Sequence, residues 1–236
     1  MPAGTADSEP ALAESAATRS ARWADLRLRV ASALVLAPVA ILCVWLGGWL
    51  WYALMAAACL GVCWEWAALC KGRALALLAG FGYAGLATAA LAALRADPAN
   101  GRIALLFLLV VVWSSDIGAY AAGRLIGGRR LAPAISPGKT WSGAVGGLVA
   151  AVLGGEAVAG GDGPAMVAIV ALILGMASQL GDLLESAVKR HFGVKDTGRL
   201  IPGHGGLLDR LDGLMAAALV AAGWALATGQ GSAIWR

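Results

Sequence analysis

Charged residues are scarce in this sequence. Only 14% of its 236 residues are Asp, Glu, Lys or Arg, whereas 60% are hydrophobic. Soluble globular proteins average about 25% charged residues and about 45–50% apolar ones, so this chain has too few charges to cover a water-facing surface. The composition excludes an ordinary soluble domain and predicts a protein that exposes apolar side chains to lipid.

Cysteine pairs of the CxxC type are absent. The chain has four cysteines, all within its first 70 residues: Cys43, Cys59, Cys63 and Cys70. Their number and spacing support neither a disulfide framework nor a zinc site. We expect them to serve as small apolar packing residues.

Long apolar runs are abundant. A helix needs about 20 apolar residues to cross about 30 Å of hydrocarbon. The sequence has seven runs that meet or approach this length, at residues 30–46, 49–69, 74–94, 103–120, 141–159, 165–184 and 214–228. They predict an all-α, polytopic transmembrane bundle with about seven spans.

The amino-terminal residues differ from the rest of the chain. Residues 1–29 are rich in Ala, Ser, Glu and Arg and lack apolar periodicity, which predicts a disordered cytoplasmic tail before an integral membrane domain at 30–236. Arginines followed by an apolar run are also typical of a signal peptide. The length of the run and the six that follow favour an uncleaved first span.

Lysine and arginine mark one side of the predicted bundle. Of the eighteen such residues, all but Arg95, Arg102 and Arg236 fall on the side of the amino terminus. Because positive charge marks the cytoplasmic side, we expect the amino terminus and the polar segments in the cytoplasm, in a bacterial-type inner (plasma) membrane. This asymmetry explains the net charge of +4 without nucleic-acid binding.

Two segments, 116–142 and 178–212, are too polar to be simple connections. In the second, Ser178, Asp182, Ser186 and Lys189 recur at spacings of four, four and three, which places them on one stripe of a helix. An acid at this depth in a membrane indicates function. Alternatively, Asp182 is an interfacial residue that pairs with Lys189 or a neighbouring Arg.

A glycine loop, residues 202–206 (PGHGG), follows this helix. Its backbone N–H groups can approach phosphate oxygens closely. Asp209 and Asp212 then begin the last helical run, either as N-cap and first-turn residues or, with Asp182, as oxygen ligands for Mg²⁺. Carboxylates, cations and a glycine loop together indicate phosphoryl or nucleotidyl transfer.

The first polar segment contains a second candidate phosphate contact. The SPGKT turn at 136–140 resembles the end of a Walker A loop, but Pro133 stands where that motif needs glycine. Either Ser136, Lys139 and Thr140 contact phosphate, or the turn is an ordinary positive-inside loop. Asp116 is a further intramembrane acid, with pairing to Arg124 as its alternative role.

The motifs of both segments resemble those of the CDP-diacylglycerol synthases, also called phosphatidate cytidylyltransferases. The family signature has a Ser three residues before Lys-Arg, then Lys-Asp, Pro-Gly-His-Gly-Gly and Asp-Arg-x-Asp. This chain matches it at Ser186, Lys189-Arg190, Lys195-Asp196, 202–206 and 209–212. The elements SQxGDL (178–183), DxGAYxxGR (116–124) and SPxKTW (136–141) also resemble family features. The specific resemblance covers residues 113–213 and, before them, only Glu65-Trp66.

The resemblance implies a catalytic domain that condenses CTP with phosphatidic acid, a membrane lipid, to give CDP-diacylglycerol and pyrophosphate. It implies Mg²⁺, held by Asp182, Asp209 and Asp212, and allows a second cation such as K⁺ and a homodimer. The implied catalytic residues are Asp182, Lys189, Arg190, Lys195, Asp196, His204, Asp209, Arg210 and Asp212. The implied substrate-binding residues are Asp116, Ser136, Lys139, Thr140, Ser178, Ser186, Gly205 and Gly206. His204 either donates a hydrogen bond to phosphate or braces the glycine loop.

One departure from the family pattern bears on the site. Gly138 stands where many relatives carry a second Lys, which leaves Lys139 as the sole cation of the SPGKT turn.

Other functions fit the sequence less well. A CDP-alcohol phosphotransferase needs Ala-Arg after an Asp-Gly pair, but Asp212-Gly213 is followed by Leu-Met-Ala. Another CDP-lipid or polyprenyl-phosphate transferase stays an alternative. A small-solute transporter is disfavoured because the sequence lacks the repeated halves that many transporters show.

Overall fold

The structure, a computed structural model, describes most of the chain beyond its amino-terminal segment. The described residues are 32, 34–36, 38–160, 165–201, 203, 205–229 and 233. The predicted tail at 1–29 lies outside them.

Helices make up nearly all of the described structure. In chain order the elements are α1 (Leu34–Leu46), α2 (Gly48–Cys70), α3 (Ala74–Ala96), α4 (Gly101–Leu125), β1 (Arg130–Ala132), β2 (Ser136–Thr140), α5 (Trp141–Ala159), α6 (Ala165–His191) and α7 (Leu208–Thr228). Six of them, α2 to α7, are long and apolar enough to cross a membrane, and α1 is a shorter apolar helix. The prediction of an all-α polytopic bundle is confirmed, and the span count is close to the predicted seven.

The apolar side chains point both inward and outward. Phe107, Leu108 and Leu174 are buried in the core between the helices. Other large apolar side chains, such as those of Trp64 and Leu75, are about three-quarters exposed or more. An apolar exterior of this kind matches lipid and explains why the helices show little amphipathic patterning.

Small residues let α4 and α5 approach each other closely. A Cβ atom added at Gly118 would overlap Ala150, and one added at Gly146 would overlap Ala122. Small residues at such contacts are typical of helix pairs in membranes, where close backbone packing replaces the hydrophobic effect. The contact places the second half of α4, which carries Asp116, beside the first half of α5.

A short β-hairpin, which the sequence did not predict, connects α4 to α5. Its strands β1 and β2 are antiparallel and pair Arg130 with Thr140 and Ala132 with Ser136. The chain leaves α4 through Gly127 and Gly128, which have φ values of 67° and 101° that favour glycine. The predicted SPGKT turn is therefore a strand, β2, that ends at Thr140, immediately before α5.

Three helices extend past the apolar runs that predicted them. The helix α4 continues to Leu125, α6 continues to His191, and α7 begins at Leu208 rather than at residue 214. Backbone hydrogen bonding continues a helix regardless of side-chain polarity, so hydropathy alone underestimates helices with polar ends. The extensions of α6 and α7 carry Lys189, Asp209, Arg210 and Asp212 of the candidate site.

Candidate functional site

A cavity of about 1270 Å³ opens into the bundle and is polar at one end. Four elements contribute charged residues to this end: α4 contributes Asp116, β2 contributes Lys139, α6 contributes Asp182, and α7 contributes Asp209 and Asp212. The structure thus brings together residues of both polar segments. Ser136, Thr140, Lys189, Asp196 and Arg210 also line the cavity.

Most of the remaining cavity wall is apolar. It includes Val44 of α1, Trp51 and Leu54 of α2, Leu91 of α3 and Leu109 of α4. A cavity with charged groups at one end and apolar walls beyond suits an amphiphilic ligand, whose head group and hydrocarbon need different surroundings.

Lys139 and Asp182 form an ion pair across the polar end. Lys139 Nζ lies 2.5 Å from Asp182 Oδ2, and the hydroxyl of Ser186 donates a hydrogen bond of 3.4 Å to Asp182 Oδ1. The partner of Asp182 is therefore Lys139 and not Lys189, the partner considered from the sequence.

Three carboxylates from three helices face the cavity. Asp182 and Asp212 interact electrostatically with each other, and Asp116 interacts with both. Arg124, the partner considered for Asp116, instead donates a hydrogen bond of 3.4 Å to the hydroxyl of Tyr120. A bound cation would relieve the repulsion among these carboxylates.

Asp209 serves as a hydrogen-bonding hub. Its Oδ1 accepts from Lys189 Nζ at 2.9 Å, and its Oδ2 accepts from the backbone N–H of Thr197 at 3.1 Å and of Gly206 at 3.2 Å. The N-cap of α7 is Leu207, so the N-cap position considered for Asp209 is wrong and Asp209 lies in the first turn. This carboxylate ties the loop before α7 to both α6 and α7.

Glu185 forms a cluster with Lys189 and Asp209, and the sequence analysis did not identify it. Its Oε2 lies 2.5 Å from Lys189 Nζ, and its side chain is 7% exposed. Lys189 is thus held between the carboxylates of Glu185 and Asp209. The sequence did contain a signal for this ion pair, because Glu185 precedes Lys189 by four residues, which is the spacing of an ion pair on one helix face.

Several predicted substrate contacts have structural roles in the fold. Thr140 is buried, and its hydroxyl accepts a 3.0 Å hydrogen bond from the backbone N–H of Gly143, which caps α5. Ser178 is buried where α6 packs on Gly213 of α7, and it does not line the cavity. Gly205 exchanges backbone hydrogen bonds with Ile201, so its N–H is already used.

Two predicted basic residues lie away from the cavity. Arg190 is exposed, and its Nε donates a hydrogen bond of 3.3 Å to the carbonyl of Ile135, which holds the hairpin against α6. Lys195 is exposed and does not line the cavity. His204 lies outside the described residues, so its two proposed roles stay predictions.

The cavity acids fit Mg²⁺ in donor chemistry but do not form a complete ligand set. Mg²⁺ prefers carboxylate oxygens, and its charge would offset the repulsion among Asp116, Asp182 and Asp212. In the part of the chain that the structure describes, no group of three or more His, Cys, Asp or Glu side chains is placed to hold a metal ion. Substrate phosphates and waters would have to complete the shell, which is usual for Mg²⁺. Asp209 is a less suitable ligand for Mg²⁺, because its oxygens already accept hydrogen bonds from Lys189 and two backbone N–H groups.

Comparison with known proteins identifies a family. The sequence model of the cytidylyltransferase family matches residues 71–226. A phosphatidate cytidylyltransferase of Brucella suis is 56% identical over 146 residues, which are 59% of this chain and 53% of that protein. Proteins of the same name from Haemophilus influenzae and Mycobacterium leprae are 44% identical over 129 and 144 residues. These matches cover 51% and 59% of this chain and 45% of each relative. The chain thus matches about half the length of these curated relatives.

Proposed function

Since this chain belongs to the cytidylyltransferase family, we propose that it condenses CTP with phosphatidate to give CDP-diacylglycerol and pyrophosphate. The observation that carries the proposal is the amphipathic cavity, where carboxylates and lysines lie at one end and apolar residues of α1 to α4 continue beyond them. The polar end would take the triphosphate and the phosphatidate head group, and the apolar walls would take acyl chain. The curated relatives are named for this activity.

The reaction requires two anions to meet. A phosphate oxygen of phosphatidate forms a bond to the α-phosphorus of CTP, and the bond from that phosphorus to the oxygen of the β-phosphate breaks, which releases pyrophosphate. The attacking phosphate is already ionised, so no strong base is needed to create the nucleophile. Catalysis then depends on bringing the substrates together and on neutralising charge.

The cavity residues can supply these two effects. Lys139 lies at the polar end on β2, and Arg210 lines the same cavity from α7. We assign both to the phosphate groups of the substrates. Lys189 contributes less directly, because Glu185 and Asp209 hold its ammonium. It stabilises the loop that leads into α7.

We propose that Asp116, Asp182 and Asp212 hold the Mg²⁺ that the family resemblance implies, and that Asp209 acts mainly as a brace. A bound Mg²⁺ would neutralise charge on the triphosphate and on the departing pyrophosphate. The interacting charges of the three cavity acids support this choice. A second cation such as K⁺ stays a prediction, which varying K⁺ at constant ionic strength in the assay tests.

We further propose that the polar end of the cavity faces the cytoplasm, where CTP is made. The bias of Lys and Arg toward this side supports the orientation. The homodimer implied by the resemblance also stays a prediction. Light scattering on the detergent-solubilised protein, corrected for bound detergent, tests it by giving the mass of one or two chains.

The deciding experiment uses the purified chain in detergent micelles that contain phosphatidate. With CTP and Mg²⁺ we expect release of pyrophosphate and formation of a lipid that carries the cytidine label. Replacing phosphatidate by a polyprenyl phosphate, or CTP by CDP-diacylglycerol plus an alcohol, tests the alternative transferases in the same assay. Turnover only in one of those arms, or in none while a homologous enzyme is active, would refute the proposal.

A further inference from the structure

Glu65 is a buried acid on α2, outside the residues that the family model covers. It is 2% exposed, and both of its carboxylate oxygens are used. Oε1 accepts a hydrogen bond of 3.3 Å from the backbone N–H of Leu200, and Oε2 accepts one of 2.9 Å from the backbone N–H of Leu208. A buried carboxylate is costly unless it is well bonded, so these two contacts account for its presence.

The two N–H groups flank the glycine loop. Leu200 precedes residues 202–206, and Leu208 follows them as the first residue of α7. The N–H at the start of a helix has no acceptor within the helix, and a carboxylate there is also favoured by the helix dipole. Glu65 thus caps α7 from another helix while it holds the entry to the loop.

The surface of α2 around Glu65 is shaped to receive this segment. Gly61 lies one turn earlier, and a Cβ atom added there would overlap the ends of the Leu207 and Leu200 side chains. On the facing segment, a Cβ atom added at Gly198 would overlap the Glu65 carboxyl group. Two glycines, one on each partner, therefore allow the close approach that the hydrogen bonds require.

We propose that Glu65 is a positioning residue: it fixes the glycine loop and the first turn of α7, and through them the carboxylates of Asp209 and Asp212. Glu65 does not line the cavity, so it acts through these residues and not on the substrates. The inference rests on the proposed function. It assigns to α2 a role in the site besides lining the apolar wall.

The first test replaces Glu65 by Gln, which keeps the shape but loses an acceptor and places an NH₂ group against a backbone N–H. We expect kcat to fall about tenfold to a hundredfold, the range for losing a group that orients a site residue from behind. The KM for phosphatidate should change by less than about twofold, because the apolar walls are untouched. Amide hydrogen exchange should rise in peptides covering 196–208 and stay unchanged in α4 and α5.

Glu156→Gln is the matched control. Glu156 is a half-buried acid on α5 and does not line the cavity. The control should leave kcat, KM and the exchange of 196–208 unchanged. A general effect of removing one acid from a membrane helix would lower activity in both variants.

A second variant approaches the same contact from the other side. Gly198→Ala should push the loop away from Glu65 and raise exchange in the same peptides. Glu65→Ala makes room for the added methyl group, so the double variant should lose less activity than the product of the two single losses. Independent losses would show that Gly198 and Glu65 do not act through one contact.

The outcomes separate this inference from the proposed function. A folded Glu65→Gln protein with wild-type kcat, or one whose exchange rises throughout the chain, would overturn the positioning role. A wild-type protein inactive with CTP and phosphatidate would overturn the proposed function, yet the exchange of residues 196–208 would still show whether Glu65 holds the loop. If Glu65→Gln does not fold, Gly198→Ala decides: unchanged kcat and local exchange would overturn the inference.

Discussion

Lys139 Nζ lies 2.5 Å from Asp182 Oδ2, and this ion pair joins the β-hairpin to α6 at the polar end of the cavity. The two side chains stay 26% and 39% exposed. A pair that is this open contributes little to stability, typically about 0–1 kcal/mol. The pair can therefore open at little cost, which the proposed binding of phosphate by Lys139 and of metal by Asp182 requires.

The first prediction concerns Lys139, the sole cation of the SPGKT segment. If it contacts phosphate, Lys139→Ala should cost about 2 to 4 kcal/mol of transition-state stabilisation, measured as the loss in kcat/KM per folded molecule. Lys139→Arg should restore only part of this, because a planar guanidinium does not occupy the place of a compact ammonium. Arg129→Ala, which removes an exposed cation from the same connection, is the control. An unchanged kcat/KM in Lys139→Ala would make the residue a topological charge only.

The second prediction concerns Asp182. Asp182→Asn keeps the shape but loses the charge that attracts a divalent ion, so turnover should disappear while the protein stays folded and inserted. Direct titration of Mg²⁺ or Mn²⁺ onto the protein should show weaker binding than in the wild type. Near-normal turnover at low Mg²⁺ would mean that Asp182 is not a ligand.

The third prediction separates Asp209 from Asp182. Asp209→Asn replaces one of the two acceptor oxygens by an NH₂ group, so the side chain can no longer accept from both Lys189 and the two backbone N–H groups, and we expect lower thermal stability as well as lower turnover. The stability loss should be about 1–3 kcal/mol, the cost of leaving buried polar groups unpaired. Asp182→Asn should show no such loss. If the two variants are equally stable and neither binds metal, Asp209 is a metal ligand and not a brace.

The fourth prediction concerns Lys189, which lies between two carboxylates. Lys189→Met leaves Glu185 and Asp209 buried without their counter-charge and should destabilise the fold by about 3–5 kcal/mol. Adding Glu185→Gln should recover part of the loss, because one of the two uncompensated charges is then gone. Chemical or thermal unfolding in detergent measures both effects. Simple additivity of the two substitutions would show that Glu185 and Lys189 are not coupled.

The fifth prediction concerns topology. In a variant whose four native cysteines are replaced, a cysteine at Gly128 should be labelled only from the cytoplasmic side, because this connection is rich in basic residues and positive charge marks that side. A cysteine at Gly160, which ends α5, should be labelled only from outside. Because α5 is long enough to cross the membrane between these two sites, labelling of both from one side would show that it does not.

Much of this protein can be predicted from its sequence. The apolar runs predicted the all-α membrane bundle because hydropathy and helix length are set by local composition and by the thickness of the bilayer. The spacing of Ser178, Asp182 and Ser186 correctly indicated a helix. The motifs led to the cytidylyltransferase family, which the family comparison confirms.

Only the tertiary structure decided which of these polar residues meet. Hydropathy carries no information on partners, so it did not reveal that Asp182 pairs with Lys139 and that Lys189 is enclosed by Glu185 and Asp209. The hairpin was missed because a short two-stranded ribbon depends on its packing against α5 and α6 rather than on strand propensity. Glu65 lies on a different helix from the loop that it holds, and such a contact exists only once α2 and α7 are folded together, since burial and backbone partners are long-range properties.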